Sequence, residues 1–357
     1  MANKTTLSIL SMASLFTTQK AFSDGSTQIP EGKLTDYACI YPDITPGAGP
    51  RVINGCDVFL TADYLYWTAQ QDNLEYAVTG NITDLITSSH QGSVKNTNFR
   101  YQSGFRGGLG FNFDHDAWDT YFNYTWFQSN KNKGNTHTNS AETGLFPSFT
   151  PVLVVPEGSF FSQAQTIWQI HFNSLDWELG RNLYISKYLS LRPFIGLKGT
   201  WQQQKGVNSY RLTTTTPYKI PYENSLKSYF FGVGGRGGIN TAWHLSGSWS
   251  LIGDLALSGV WGQFNTHRKD YFKLEDEAAI TSINKKNHFN TIIPVLELCL
   301  GIKKDAWFSE DRFHVNMQAG WEEQIWWNQN KFSLTNGVPR GGNLSLQGLT
   351  ARVRVDF

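Results

Sequence analysis

The chain ends in Leu349-Thr-Ala-Arg-Val-Arg-Val-Asp-Phe357, where Leu349, Ala351, Val353, Val355 and Phe357 alternate with Thr350, Arg352, Arg354 and Asp356. Successive side chains of a strand point to opposite faces, so this period of two marks a strand with one apolar and one polar side. The same pattern recurs upstream. Phe313, Val315, Met317, Ala319 and Trp321 alternate with His314, Asn316, Gln318 and Gly320. Trp249, Leu251, Leu255, Leu257 and Trp261 face away from Ser250, Asp254, Ala256 and Ser258. Leu191, Pro193, Ile195, Leu197 and Trp201 oppose Arg192, Gly196, Lys198, Thr200 and Gln202. Near residue 173 the phase slips, from Trp168, Ile170 and Phe172 to Leu175, Trp177 and Leu179, as a β-bulge would produce.

Strands of globular proteins run about 5–6 residues, whereas these alternations persist to lengths that suit a membrane-spanning strand of about 9–11 residues. Aromatic residues close the apolar faces: Tyr64, Tyr66 and Trp67; Tyr124 and Trp126; Trp249 and Trp261; Trp321 and Trp327. They read as the girdles at the two membrane interfaces. Composition agrees. The 357 residues are 17% charged and 15% aromatic, with 33 glycines and 13 tryptophans. No stretch approaches the run of about 20 apolar residues that a spanning helix needs. Low charge and high aromatic content exclude disorder, and a net charge of +1 leaves no footprint for nucleic acid.

Ten strands are expected, near 58–77, 97–113, 118–130, 165–185, 189–210, 227–245, 248–270, 288–304, 311–328 and 344–357. The gaps alternate between long, polar loops and short turns, as in an all-β, up-and-down antiparallel outer-membrane barrel with long external loops. Val152 to Val155 leave room for a further hairpin, so twelve strands is the alternative. Upstream, Lys4, the apolar run Leu7 to Phe16 and Ala21-Phe22-Ser23 read as a secretory signal peptide over 1–23. Pro30, Pro42, Pro46 and Pro50 make 24–56 a periplasmic linker or plug, and 57–357 the barrel. Cys39 and Cys56 could close a small disulfide loop after export, while Cys299 reads as a small buried strand residue. The even strand count puts both termini in the periplasm.

Phe59-Leu-Thr-Ala-Asp-Tyr-Leu-Tyr-Trp67 with Leu74-Glu-Tyr-Ala77 resembles the first strand of the major-outer-membrane-protein-like proteins of chlamydiae and Legionella. Trp118-Asp-Thr-Tyr-Phe-Asn-Tyr-Thr-Trp-Phe127 and Leu191-Arg-Pro-Phe-Ile-Gly-Leu-Lys-Gly-Thr-Trp201 resemble later segments of that family. Phe357, preceded by Val355 and Val353, is similar to the C-terminal signal read by the barrel assembly machinery. The resemblance covers most of 57–357. It implies an abundant surface-exposed porin, homo-oligomeric assembly being one state open to it, with a secondary part in adhesion to host cells and in antigenicity. Three cysteines depart from the disulfide-linked network of the family's best-known members.

Apparent catalytic motifs dissolve on inspection. Gly232, Gly234 and Gly237 match a dinucleotide fingerprint, but the alternation runs on to Trp243 where a helix would have to begin. His115-Asp116 falls in a short turn, and the histidines and cysteines show no metal spacing. Neither an enzyme nor a cofactor is expected. The strand phases instead turn Arg106, Arg192, Lys198, Arg236, Lys303, Arg352 and Arg354 into the lumen, together with Asp63, Asp119, Asp176, Glu178, Asp254, Glu297 and Glu322. These residues are read as pore-lining, in a narrow, weakly selective channel for ions and small hydrophilic solutes. The competing reading is a salt-bridged, packed interior in a structural or adhesive barrel, because about eight strands leave a lumen that side chains just fill and only 16–18 leave an open channel. Loop 131–164, with its apolar tract Phe146 to Phe161, is the best candidate for partner contact or for folding inward as a constriction.

Overall fold

The computed structural model describes residues 47–50, 52, 55–80, 92–113, 116–138, 144–149, 160–213, 219–246, 248–272, 280–332 and 340–357. The expected signal peptide, most of the linker, and Cys39 and His115 lie outside them. Regular structure among the described residues consists of strands: β1 (Val58–Gln71), β2 (Ala77–Thr79), β3 (Val94–Lys95), β4 (Gln102–Asn112), β5 (Trp118–His137), β6 (Leu145–Pro147), β7 (Phe160–Arg181), β8 (Leu183–Ser186), β9 (Leu189–Thr213), β10 (Lys219–Ser246), β11 (Trp249–Phe272), β12 (Ile280–Phe308), β13 (Phe313–Trp326) and β14 (Leu344–Asp356).

Ten of these close a barrel. β1 pairs with β4 and β14, β5 with β4 and β7, and β7 with β9, from which the meander runs through β10, β11, β12 and β13 to β14; every pairing is antiparallel. Closure removes the sheet edges that lipid would leave unpaired. Each of the ten expected strands forms. The remaining four are short: β2 pairs with β3 and β6 on the long-loop side, and β8 pairs with β9 on the short-turn side. Val152 to Val155, on which the twelve-strand alternative rested, lie outside the described residues, but β5 pairs directly with β7, which leaves no place in the wall for a further hairpin between them.

The faces of the sheet exchange polarity part-way up. On β11, Trp249, Leu251, Leu255, Leu257 and Trp261 are exposed on the outer wall; above them that wall becomes Gln263, Asn265, His267 and Lys269. On β9, Ile195, Leu197 and Trp201 give way to Gln203 and Lys205, and on β5 Phe122, Tyr124 and Trp126 give way to Gln128 and Asn130. The inner wall changes oppositely at the same height. On β7, Glu178, Asp176 and Ser174 are followed by buried Phe172, Ile170 and Trp168. On β1, Thr61 and Asp63 are followed by Leu65, Trp67 and Ala69. The short-turn half is therefore apolar outside and polar inside, as lipid requires. The long-loop half is polar outside and apolar inside, as water requires.

Two expectations are corrected by this arrangement. Pairing of β7 with both neighbours runs without interruption through Asn173, so no bulge lies there. The phase slip is the polarity exchange itself, the apolar set crossing from the inner wall at Phe172 to the outer wall at Leu175. Trp67, read as part of the girdle, points inward and is fully buried, because it lies above the exchange level on the lumen side. Tyr64, Tyr66, Trp126, Trp201, Trp261 and Trp321 form the exposed upper belt, with stacked pairs such as Tyr66–Tyr101 and Tyr124–Trp201.

Candidate functional site: the barrel lumen

Three layers fill the lumen. Lowest, at the short-turn end, is a cavity of about 540 Å³ that Ala48, Gly49 and Pro50 help to line. The Ala48 N–H donates to the Asn182 carbonyl at 3.3 Å, which anchors that segment at the mouth. Above the mouth the walls carry the charged side chains.

The register sets their pairing. Asp63 lies cross-strand from Arg106 on β4 and from Arg352 on β14. It accepts from Nε and Nη2 of Arg352, each at 2.8 Å, and from Nη1 of Arg106 at 3.3 Å. Arg106 also forks onto Glu322 of β13 at 2.6 and 3.1 Å. On the other side of the barrel, Lys198 lies opposite Asp176 in register and binds it at 2.8 Å, and it reaches Glu297 at 2.9 Å. Arg236 bridges Glu297 at 2.7 Å to Glu178. Arg192 joins Glu178 at 2.7 Å to Asp119 at 2.5 Å. Nearer the mouth, Arg354 binds Asp356 at 2.6 Å, Lys303 binds Asp305 at 3.2 Å, and His314 bridges both carboxylates. Thirteen of the fourteen charged residues assigned to the lumen are thus ion-paired; Asp254 alone has no cation among the described residues and takes a 2.8 Å hydrogen bond from Asn240.

The third layer is an apolar septum at and above the upper girdle. Leu65, Trp67, Phe127, Trp168, Phe172, Phe230, Phe264, Trp326 and Leu346 belong to one buried cluster supplied by strands all around the barrel. Phe172 on β7 meets Trp326 on β13 edge-on with ring centroids 5.5 Å apart, although the two strands are diametrically opposed in the ring of ten. Leu74, Phe149 and Phe332 join the cluster from loops. Their loops are tied in place: Arg268 Nη2 donates to the Phe149 carbonyl at 2.9 Å, and Arg340 stacks on the Phe149 ring at 4.7 Å while pairing with Glu75 at 2.6 Å. Gln329 Nε2 reaches Gln202 on β9 at 2.9 Å. The charged layer abuts the septum directly, with Lys198 over the Trp326 ring at 5.8 Å and Arg106 over Trp67 at 5.4 Å. These septum residues were not singled out from the sequence as a lumen feature. The signal was there, in the slip at residue 173 and the apolar tract from Phe146.

Elsewhere, Asp116 is held by Arg181 at 2.6 Å in its turn, and Gly232, Gly234 and Gly237 lie within β10. Cys56 is exposed, and its N–H binds the Phe357 carbonyl at 3.0 Å; Phe357 packs edge-on against Phe313, with Val353 exposed on the outer wall and Val355 half-buried beside it. Cys299, expected as a small buried strand residue, lies in β12, half-buried and lining the cavity.

The model of the Legionella pneumophila major outer membrane protein precursor family matches residues 50–357. The chain belongs to this family. No curated protein sequence matches it. Similar solved structures are outer-membrane barrels of low identity. The outer membrane protease OmpT of Escherichia coli is 10% identical with a TM-score of 0.38, over 87% of this chain and 100% of OmpT. A Pseudomonas aeruginosa FadL homologue is 8% identical, TM-score 0.25, over 84% and 89%. The Pseudomonas putida toluene transporter TodX is 7% identical, TM-score 0.23, over 85% and 91%. Likeness at this level carries no inference about activity. Family and fold together make the chain an outer-membrane barrel protein.

Proposed function

We propose that this family member is a gated porin, passing ions and small hydrophilic solutes through a narrow lumen that the septum closes in the conformation described. The observation that carries this reading is where polar and apolar layers fall. Within the lipid-facing half the interior is charged and holds a cavity of about 540 Å³, which supports a polar route through that half. The barrier stands at and above the upper girdle, and loops supply Leu74, Phe149 and Phe332 to it. Apolar constrictions gate by excluding water. The buried Trp168 and Trp326 indole N–H groups find no acceptor among the described residues, so water entering the septum would gain a hydrogen bond at each. The seven cationic and seven anionic side chains read from the sequence balance, and Asp305 and Asp356 add two carboxylates at the mouth around His314, so weak ion selectivity is expected.

The contact of Phe172 with Trp326 across the lumen favours a second reading, a non-conducting structural or adhesive barrel acting through its surface loops on host cells. On either reading the short-turn end and both termini face the periplasm, lipid covers the apolar band, the assembly machinery reads Phe357, and no catalytic role is assigned. Planar-bilayer recording of the refolded protein tests the choice. The porin reading expects brief discrete steps that scale with bulk salt and a reversal potential near zero in asymmetric salt. Silent membranes from a barrel shown folded by heat-modifiable migration would leave the structural reading.

A further inference from the structure

We infer that the periplasm-side cavity is a binding site for a small zwitterion of the α-amino-acid class, its ammonium at Asp254 and its carboxylate at Arg352. The inference rests on the porin reading, since it treats the cavity as part of a solute route. Among the charged lumen residues, Asp254 stands without a cation: its partner is the Asn240 amide at 2.8 Å, and its cross-strand neighbours are Asn240 on β10 and Cys299 on β12. None of these neutralises a carboxylate. Arg352 presents the complementary vacancy. Its Nε and Nη2 are both engaged by Asp63, while Nη1 makes no hydrogen bond among the described residues, and about a quarter (24%) of the side chain is exposed.

Both residues line the same cavity. The same walls hold two buried polar atoms without partners, Arg236 Nε and Asn316 Oδ1, a donor and an acceptor that a polar solute or its water could satisfy. A volume of about 540 Å³ falls within the range of small-molecule sites, about 300–1,000 Å³. A simple anion would answer Arg352 and leave Asp254 opposed by like charge; a simple cation would do the reverse. A zwitterion answers both.

The test is a titration of the full refolded barrel in detergent micelles with three probes sharing a three-carbon skeleton, L-alanine, propionate and propylammonium, followed by saturation-transfer NMR. The site predicts that L-alanine binds about tenfold more tightly than either monovalent probe, the margin of one charge-assisted contact. Asp254→Asn should remove that margin. Arg352→Lys keeps a cation for Asp63 but gives up the open guanidinium edge, and should weaken L-alanine to a similar degree. Heat-modifiable migration verifies that each variant is folded. Equal binding of the three probes, or unchanged L-alanine affinity in folded Asp254→Asn, overturns the site. Conductance of the same preparation without solute keeps the two ideas apart. A barrel that conducts without discriminating the probes sinks the site and spares the channel, whereas one that binds L-alanine but stays silent supports the site and sinks the channel.

Discussion

At the scale of single residues, the lumen is held by charges that were readable and by a pairing that was not. Alternation alone places Asp63, Arg106 and Arg352 on the polar face of three strands. Only the closure of β1 on both β4 and β14 makes Asp63 the shared partner of two arginines. Arg106 is buried, and removing one member of a buried, hydrogen-bonded pair strands the others. Arg106→Gln should therefore cost about 3–5 kcal/mol of stability by leaving buried Glu322 without its cation, while Asp63 keeps Arg352. Asp254→Asn, which breaks no ion pair, should leave stability within about 0.5 kcal/mol. Urea unfolding of the two variants in lipid vesicles checks both values. The loop tie is equally specific. Tyr222 donates to Asp270 at 2.6 Å, and Asp270 orients the Arg268 guanidinium that holds the Phe149 carbonyl. Burial, reinforced by the Asp270 carboxylate, pushes the Tyr222 phenol well above the usual tyrosine range. It stays protonated as pH rises, so mild alkali, to about pH 10, should not release the loop through this group. An alkaline rise in conductance that Tyr222→Phe abolishes would contradict that.

At the scale of elements, the strand ends were harder to read than the strands. The expected segment 227–245 is really Lys219–Ser246, and 288–304 is Ile280–Phe308. Most of the missing residues belong to the surface half, where Glu223, Lys286 and Asn284 face water on the outer wall and so resemble a loop. A reading that seeks apolar outer faces stops where lipid stops. For the same reason the slip at residue 173 looked like a defect of one strand, although every long strand exchanges polarity near that level. The exchange gives a graded prediction. Leu257→Arg, on the outer wall inside the apolar band, should destabilise the folded barrel in vesicles by about 2–4 kcal/mol. Asn265→Arg, two turns of the pleat above Trp261, should be close to neutral. Equal effects at the two sites would mean that the band does not end at the girdle.

At the scale of the molecule, barrel width and septum belong together. Eight strands leave about the space that inward side chains fill, and ten leave more. Here the surplus is taken up by the largest side chains available, which meet across the lumen as Phe172 and Trp326 do, and by Leu74, Phe149 and Phe332 from the loops. The ten-strand count and the long-loop, short-turn order were legible in the sequence because turns punctuate the alternation. Closure of the lumen was not, because it depends on rings from opposite strands meeting at one height, which no single strand encodes. The account stands or falls on the septum being the barrier to flow. The most direct measurement is planar-bilayer conductance of Phe172→Ala/Phe332→Ala beside the wild type, both verified as folded by heat-modifiable migration. Loss of one half of the cross-lumen contact and of one loop ring should raise mean conductance about tenfold, with steps that still scale with salt. A folded variant that conducts no more than the wild type would show that the septum does not control the path.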